Sequence, residues 1–478
     1  MRRILEILKS FKINKGILSL SCFWILLFFF TQSRYVWSFD GATYALSFRD
    51  HTYSGVTGHP VYAYFGWMFD VIFHLSLGFS SLFVAKIYTF FTSAALTIIY
   101  LVFVSGLARF LNLTAKLTTT FSILLSTPFF LYYLSQVEVY NLSAVFALLS
   151  VYFLIPEKNI NSINLKSVFY SALFYALAVG THLNILFIAP ILFYLFFFHS
   201  EAQRRIWLLA EGFLTFFIAI FLIYLPAYLL FNNFYSFWFF AIGGHPSRHF
   251  FSAEWQMIFR RMPLIILLYG APFLILLAKL PHIFRGPNKL FTAVYSGVAG
   301  VLTILYITSP INGEIEQLLF VAVLLSAFAS CYYYSLGMVM KKIAMVLLAA
   351  PFIFLVPLKL AVQKKDSIVD ITMRLIHDYI PADETVYNDY LSDYIRLLQD
   401  RPIGGTEKLL STDLDRDKYI IEGAEIMALF KEKGIELEIL DKKPITKIFI
   451  EKYISYFVSL PHSWSEEMMV ARVRSRPQ

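Results

Sequence analysis

Eight side chains in this sequence have the type and setting that chemistry needs. Asp40 stands in Trp37-Ser38-Phe39-Asp40-Gly41-Ala42-Thr43-Tyr44. Aromatic surroundings of this kind partly desolvate a carboxylate, which raises its proton affinity and suits a general base. The same aspartate also reads as the N-cap of a helix over 41–49, since Asp caps well. Glu138 lies in a short apolar turn, Leu134-Ser135-Gln136-Val137-Glu138-Val139-Tyr140, and reads as a site carboxylate or as a solvated turn acid. His182, in Gly180-Thr181-His182-Leu183-Asn184, reads as a structural histidine or as a partner for the two acids. His59 precedes Pro60, Val61 and Tyr62. Arg248, Arg260 and Arg261 lie in the long segment 231–262 and suit an anion, a phosphate above all, or anchorage to lipid headgroups. Glu316, in Glu314-Ile315-Glu316-Gln317, reads as a cavity wall or a helix cap. A divalent metal is conceivable at His59, His245, His249 and the acids, but no spacing is diagnostic and none is expected. Walker, G-x-G-x-x-G, H-E-x-x-H, G-x-S-x-G and paired CxxC motifs are absent.

The elements that hold these residues are read from composition. Of 478 residues, 58% are apolar, 18% aromatic and 15% charged, against about 25% charged in globular domains. Mean hydropathy is +0.64. A soluble fold of this length cannot bury so much apolar surface, so the chain is expected to span a membrane many times. The numbers exclude a disordered chain, a disulfide scaffold and a one-helix anchor. Cys22 and Cys331 both lie in apolar runs, so no structural disulfide is expected. After Arg2, Arg3, Lys9, Lys12 and Lys15, the apolar run 17–30 is not followed by a small-x-small site, which points to an uncleaved first helix. Ten further runs follow, near 81–104, 117–134, 140–155, 167–181, 183–198, 207–230, 263–278, 290–307, 317–337 and 343–360, for about eleven spans. Segment 60–77, with Asp70 and His74, is arbitrated by charge. If it lies on the outer surface, the inner loops hold 16 Lys/Arg and the outer loops 5; counting it as a span spoils that bias. The N-terminus is then inside, and seven of the eleven acids before residue 362 face outside, which points to an outward-facing cavity bounded by the first, second and fourth outer loops. The net charge of +8 follows from the inner loops, and nucleic acid is not an expected partner.

Charge also divides the chain. Residues 362–478 hold 17 of the 40 Lys/Arg and 21 of the 32 Asp/Glu. This predicts a transmembrane domain over 1–361 and a soluble extracytoplasmic α/β domain over 362–478. Its expected elements are helices 366–379, 389–399 and 422–433, with strands at 385–388, near 419–421 and at 435–440.

In their order, these features resemble the GT-C class of membrane glycosyltransferases, and within it the protein O-mannosyltransferase-like branch. That branch carries an Asp in its first outer loop, then a His-Pro-Pro-Gly-Tyr-Pro run; here Asp40 is followed by His59-Pro60-Val61-Tyr62. Its Glu-Val-Tyr matches Glu138-Val139-Tyr140, and its Gly-x-x-His turn with a later Pro is similar to Gly180-Thr181-His182, one residue shorter, with Pro190. The matches cover about residues 20–195. Val61 and Tyr62 depart from the family's Pro-Gly, and Thr43 or a neighbour replaces an acid that often follows the first-loop Asp, which bears on substrate preference.

The resemblance implies an all-α polytopic fold with surface helices in the first outer loop. It also implies transfer of a sugar from a polyprenyl-phosphate donor to a lipid, glycan or protein acceptor. Asp40 would then be the base and Glu138 an orienting acid; the arginines, with His59 or His182, would hold the phosphate. The expected setting is a bacterial plasma membrane, with membrane lipids as partners. A carrier, flippase or scaffold for lipid-linked sugars is the alternative. It is disfavoured because acids are lacking in mid-span, where a transporter carries ionisable groups.

Overall fold

The computed structural model describes residues 15–31, 39–52, 59–134, 137, 139–156, 163–231, 255, 258–259, 261–262, 266, 269–285, 288–308, 318–363, 368–389, 392–399, 402–406, 409, 418–444 and 467–473. The chain forms a helical bundle followed by a small α/β unit. Its first helices are α1 (Lys15–Thr31), α2 (Phe39–Asp50) and α3 (Pro60–Phe69). A π-helical turn, Asp70–Leu75, extends α3. Then come α4 (Ser81–Phe110), α5 (Leu117–Leu125), α6 (Pro128–Tyr133), α7 (Tyr140–Leu154) and α8 (Leu165–Thr181). A 3-10 segment, Leu183–Ile188, leads into α9 (Ala189–His199) and α10 (Arg205–Phe231). The second half holds α11 (Ala271–Arg285), α12 (Lys289–Ile307), α13 (Leu319–Tyr332) and α14 (Met338–Gln363).

Apolar runs predicted as single spans are in several places broken, and the breaks have local causes. Run 117–134 divides at Ser126-Thr127-Pro128. Thr127 is extended, as a residue before proline prefers, and Pro128 opens α6 without an N–H to lose. The hydroxyls of Ser126 and Thr127 both donate to the Ile123 carbonyl, at 2.9 Å each, which satisfies backbone freed by the break. His182, also extended, ends α8, and Pro190 lies in the first turn of α9. Among the described residues, two helices are both long and apolar enough to cross a membrane: α4, and Arg205–Leu229 within α10. Along α10, Leu214, Phe217, Ile218 and Phe221 stand at least half exposed, as lipid-facing side chains do.

Helix contacts inside the bundle are mostly apolar, with a few buried polar ties. The Asn141 side-chain amide donates to Ser93 Oγ at 3.0 Å, and Ser93 donates to the Leu134 carbonyl at 2.6 Å, joining α7, α4 and the end of α6. Segment 60–77 is packed against α2, α4, α8 and α10. Gly66 of α3 receives the Phe48 ring of α2 where a Cβ would stand, and Trp67 Nε1 donates to the Ser47 carbonyl at 2.9 Å. The two cysteines are free, Cys22 exposed and Cys331 buried.

The C-terminal unit comprises α15 (Ile368–Tyr379), β1 (Val386–Tyr387), α16 (Ser392–Gln399), β2 (Ile403–Gly404), β3 (Lys418–Gly423), α17 (Ala424–Glu432), β4 (Leu437–Pro444) and β5 (Glu467–Val473). The sheet order is β2-β1-β3-β5-β4, with β2, β1 and β3 parallel and β5 antiparallel to both neighbours. The expected helices and strands are present within a few residues. Gly434 ends α17 with a left-handed φ of 72°, as the sequence reading required. Strands β2 and β5 were not foreseen, although β5 is an inner strand of the sheet.

Candidate functional site

Three of the predicted loop motifs meet at one end of the bundle. His59, at the start of α3, lies stacked on His182, at the end of α8, with ring centroids 5.3 Å apart and planes 22° apart. Tyr140, the first residue of α7, lies 5.4 Å from the His182 ring. The geometry assigns the ring protons. A carbonyl only accepts, so His59 Nδ1 donates to Thr181 O at 2.7 Å, which leaves Nε2 as that ring's acceptor when neutral. The Asn184 N–H donates to His182 Nδ1 at 3.3 Å, which leaves Nε2–H as the donor of a neutral His182. Burial desolvates His59 and lowers its pKa to about 4, against the smaller opposing pull of the Thr181 carbonyl. His59 is therefore neutral near pH 7.

Gly180 makes this meeting possible. A Cβ there would stand 2.8 Å from Ile223 of α10 and 2.8 Å from Val61 of α3. Real Cβ atoms do not approach so closely, so only glycine lets α8 end against both helices. Tyr64 OH adds a hydrogen bond to Ile223 O at 2.7 Å.

Asp40 occupies the first turn of α2, which begins at Phe39. It is thus inside the helix, one residue beyond the start, and not at the cap position expected for a helix over 41–49. An acid in a first turn is favoured by the unpaired N–H groups there. Tyr44, one turn later and on the same face of α2, meets the His59 ring edge-on at 6.3 Å and the Tyr62 ring at 5.2 Å. Through Tyr44, α2 reaches the His59 end of the histidine pair.

A cleft opens beside the pair, lined by Tyr140, Ser143, His182, Asn184, Ile185, Leu302 and Phe320. Its walls come from α7, the α8–α9 connection, the last turns of α12 and the start of α13. Among the described residues, the lining holds none of α2 or α3; His59 stands behind it, stacked on His182. Arg261 is buried, 1% exposed, and its Nη1 donates to the Ile307 carbonyl at 3.0 Å, at the C-terminal end of α12. A cation is well placed there. Ile307 is one to two turns along α12 from Leu302. Glu138, Arg248, Arg260 and Glu316 lie outside the described residues. The neighbours of Glu138, Val137 and Val139, are buried. No group of His, Cys, Asp or Glu suited to a metal occurs among the described residues.

Sequence reasoning missed one polar pair. Asp70, fully buried in the π-helical turn, is 3.1 Å from His51 Nε2, just beyond the end of α2. Burial raises the Asp70 pKa, opposed by His74, His51 and Arg49. The signal was present, since Asp70 and His74 stand out in an apolar segment, but nothing local points to His51.

No protein-family model matches the chain, and no curated protein sequence matches it. Solved structures do. The crystal structure of ArnT from Cupriavidus metallidurans bound to undecaprenyl phosphate is similar with a TM-score of 0.63 and 12% identity, over 97% of this chain and 99% of that one. The apo form of the same protein gives 0.64 and 11% over the same shares. The cryo-EM structure of the arabinofuranosyltransferase AftD from Mycobacteria gives 0.53 and 11%, over 96% of this chain and 40% of that one. The chain therefore has the GT-C fold, a helical membrane fold, carrying a small C-terminal sheet.

Proposed function

We propose that this protein is a glycosyltransferase that moves a sugar from a polyprenyl-phosphate donor to an acceptor on the outer, periplasmic or lumenal, side of the membrane. One observation carries the reading. The first-loop helix with Asp40, the His59-Pro60 motif, the Tyr140 turn and the Gly180-Thr181-His182 turn, far apart in sequence, assemble at one end of a GT-C bundle beside a cleft. The resemblance of their order to the O-mannosyltransferase-like branch of that fold supports the same reading. The undecaprenyl phosphate held by ArnT supports a lipid-phosphate donor.

In this mechanism Asp40 takes the proton of an acceptor hydroxyl as the oxygen bonds to the anomeric carbon. The bond from that carbon to the phosphate oxygen breaks, and the polyprenyl phosphate leaves with the electron pair. Attack opposite the leaving group inverts the anomeric centre. Arg248, Arg260 or Arg261 holds the phosphate, whose charge grows as it leaves. His182 lines the cleft where the sugar or phosphate would sit, and His59 stacks on its ring. Glu138 orients the acceptor, and the Glu316 turn closes the cleft. The N-terminus is cytoplasmic, about eleven segments cross, and the C-terminal unit stands on the outer side. No metal is required by these groups.

The test is transfer of labelled sugar from a polyprenyl-phosphate donor pool by membranes holding equal amounts of folded protein. Asp40→Asn keeps the size and the helix position but removes the proton acceptor. Transfer is expected to fall by about 10²–10⁴-fold with folding retained. Full activity in this variant would remove Asp40 as base and favour the carrier reading.

A further inference from the structure

The C-terminal unit is joined to the bundle at the helix that carries Asp40. Helix α16 packs along α2 and touches α4. Arg396 of α16 donates from Nη2 to Asp50 Oδ2 at 2.8 Å. Asp50 Oδ1 accepts from Arg49 Nε at 2.8 Å, and Arg49 Nη1 donates back to the Arg396 carbonyl at 3.3 Å. These bonds form a closed ring between residues 346 apart in sequence. Beside it, the apolar core runs without interruption from Phe48 and Tyr88 of the bundle to Ile395, Val386 and Ile421 of the C-terminal unit.

From the other side, α2 is held by Trp67 and by Asp70 through His51. The helix is thus gripped at its C-terminal end between α3 with its π-helical turn and α16. Asp40 stands at the other end, some 15 Å away at 1.5 Å per residue. A short helix moves as a rigid bar. Ala42, Ala45 and Phe48 are buried along its length, so the helix is seated as one unit and a shift at Asp50 is carried along it toward Asp40.

We infer that the C-terminal unit orients the first-loop helix through Arg396, making Arg396 a positioning residue for transfer at Asp40. This rests on the function proposed above. The side chains of Arg396 and Asp50 are 53% and 23% exposed, so the pair is partly wet. Such pairs add little to stability. The contact therefore sets geometry, and breaking it leaves the protein folded. Transfer, in contrast, is sensitive to displacement, since about 1 Å of misplacement costs up to 10²-fold in rate.

The experiment uses the full chain in lipid nanodiscs, comparing wild type, Arg396→Glu, Asp50→Arg and the swapped double variant. Two readouts are taken: steady-state transfer from a polyprenyl-phosphate sugar, and hydrogen–deuterium exchange of the α2 amides. Arg396→Glu is expected to lower kcat about 10-fold or more, with donor KM within about twofold, and to speed exchange across 42–50. The swap is expected to restore both to within about threefold. Unchanged α2 exchange in Arg396→Glu, or a swap that fails to restore it, overturns the inference, as does unchanged kcat in an active enzyme. If wild type transfers no sugar, the proposed function falls, and the exchange data alone still decide whether Arg396 orients α2.

Discussion

His59 gives a prediction that can be worked from the structure without knowing the substrate. Its pKa is lowered from 6.5 to about 4 by burial, against the opposing pull of the Thr181 carbonyl. In the unfolded chain the ring takes a proton as pH falls through about 6.5; in the folded chain it does so only near 4. Between those values the unfolded state binds more protons, so folding stability falls as the solution is acidified. The shift of about 2.5 units, at about 1.4 kcal/mol per unit, amounts to at most about 3.5 kcal/mol lost across the window. The perturbation is His59→Gln, which removes the titration. The direct assay is 15N-histidine solid-state NMR of the protein in bilayers, with the variant assigning the lost signal. The His59 signal is expected to remain neutral, protonated at Nδ1, down to about pH 4.5. Thermal unfolding from pH 7.5 to 4.5 should show a shallower loss of stability in the variant. A His59 signal that titrates near pH 6.5, or equal slopes for both proteins, would refute the assigned burial and hydrogen bond.

Gly180→Ala places a Cβ against Ile223 and Val61; a loss of about 1–3 kcal/mol, read as a lower unfolding temperature, is expected from overpacking, with weakened transfer because His182 shifts. Arg261→Ala should raise donor KM and also lower stability, since the Ile307 carbonyl loses a charged donor worth about 1.5–3 kcal/mol; an unchanged unfolding temperature would contradict that buried contact. Cysteines introduced at Ser200 and Ser367 test the orientation: position 367 should react with an impermeant reagent from outside and position 200 should not, and the reverse pattern would invert the topology.

Much of this protein is legible in the sequence because the signals are local. Hydropathy marks the apolar runs that become α1, α4, α7, α8, α10, α12, α13 and α14. Charge density separates the C-terminal unit. Period and turn residues place α15, α17 and β4, with Gly434 as a stop. The histidine and tyrosine motifs are visible as types at their places in the chain. What they touch is not. His59 bonds a carbonyl 122 residues away, Arg261 one 46 residues away, and Arg396 a carboxylate 346 residues away. No spacing rule encodes such partners, because they depend on which helix faces are turned inward once all the helices pack. The same holds for β5: a short apolar segment takes an inner place in the sheet only because β3 and β4 each leave an edge to pair. Asp70 shows the limit most plainly. From sequence it is an acid in an aromatic segment; the tertiary structure buries it, gives it His51, and sets it under the end of the helix that carries Asp40.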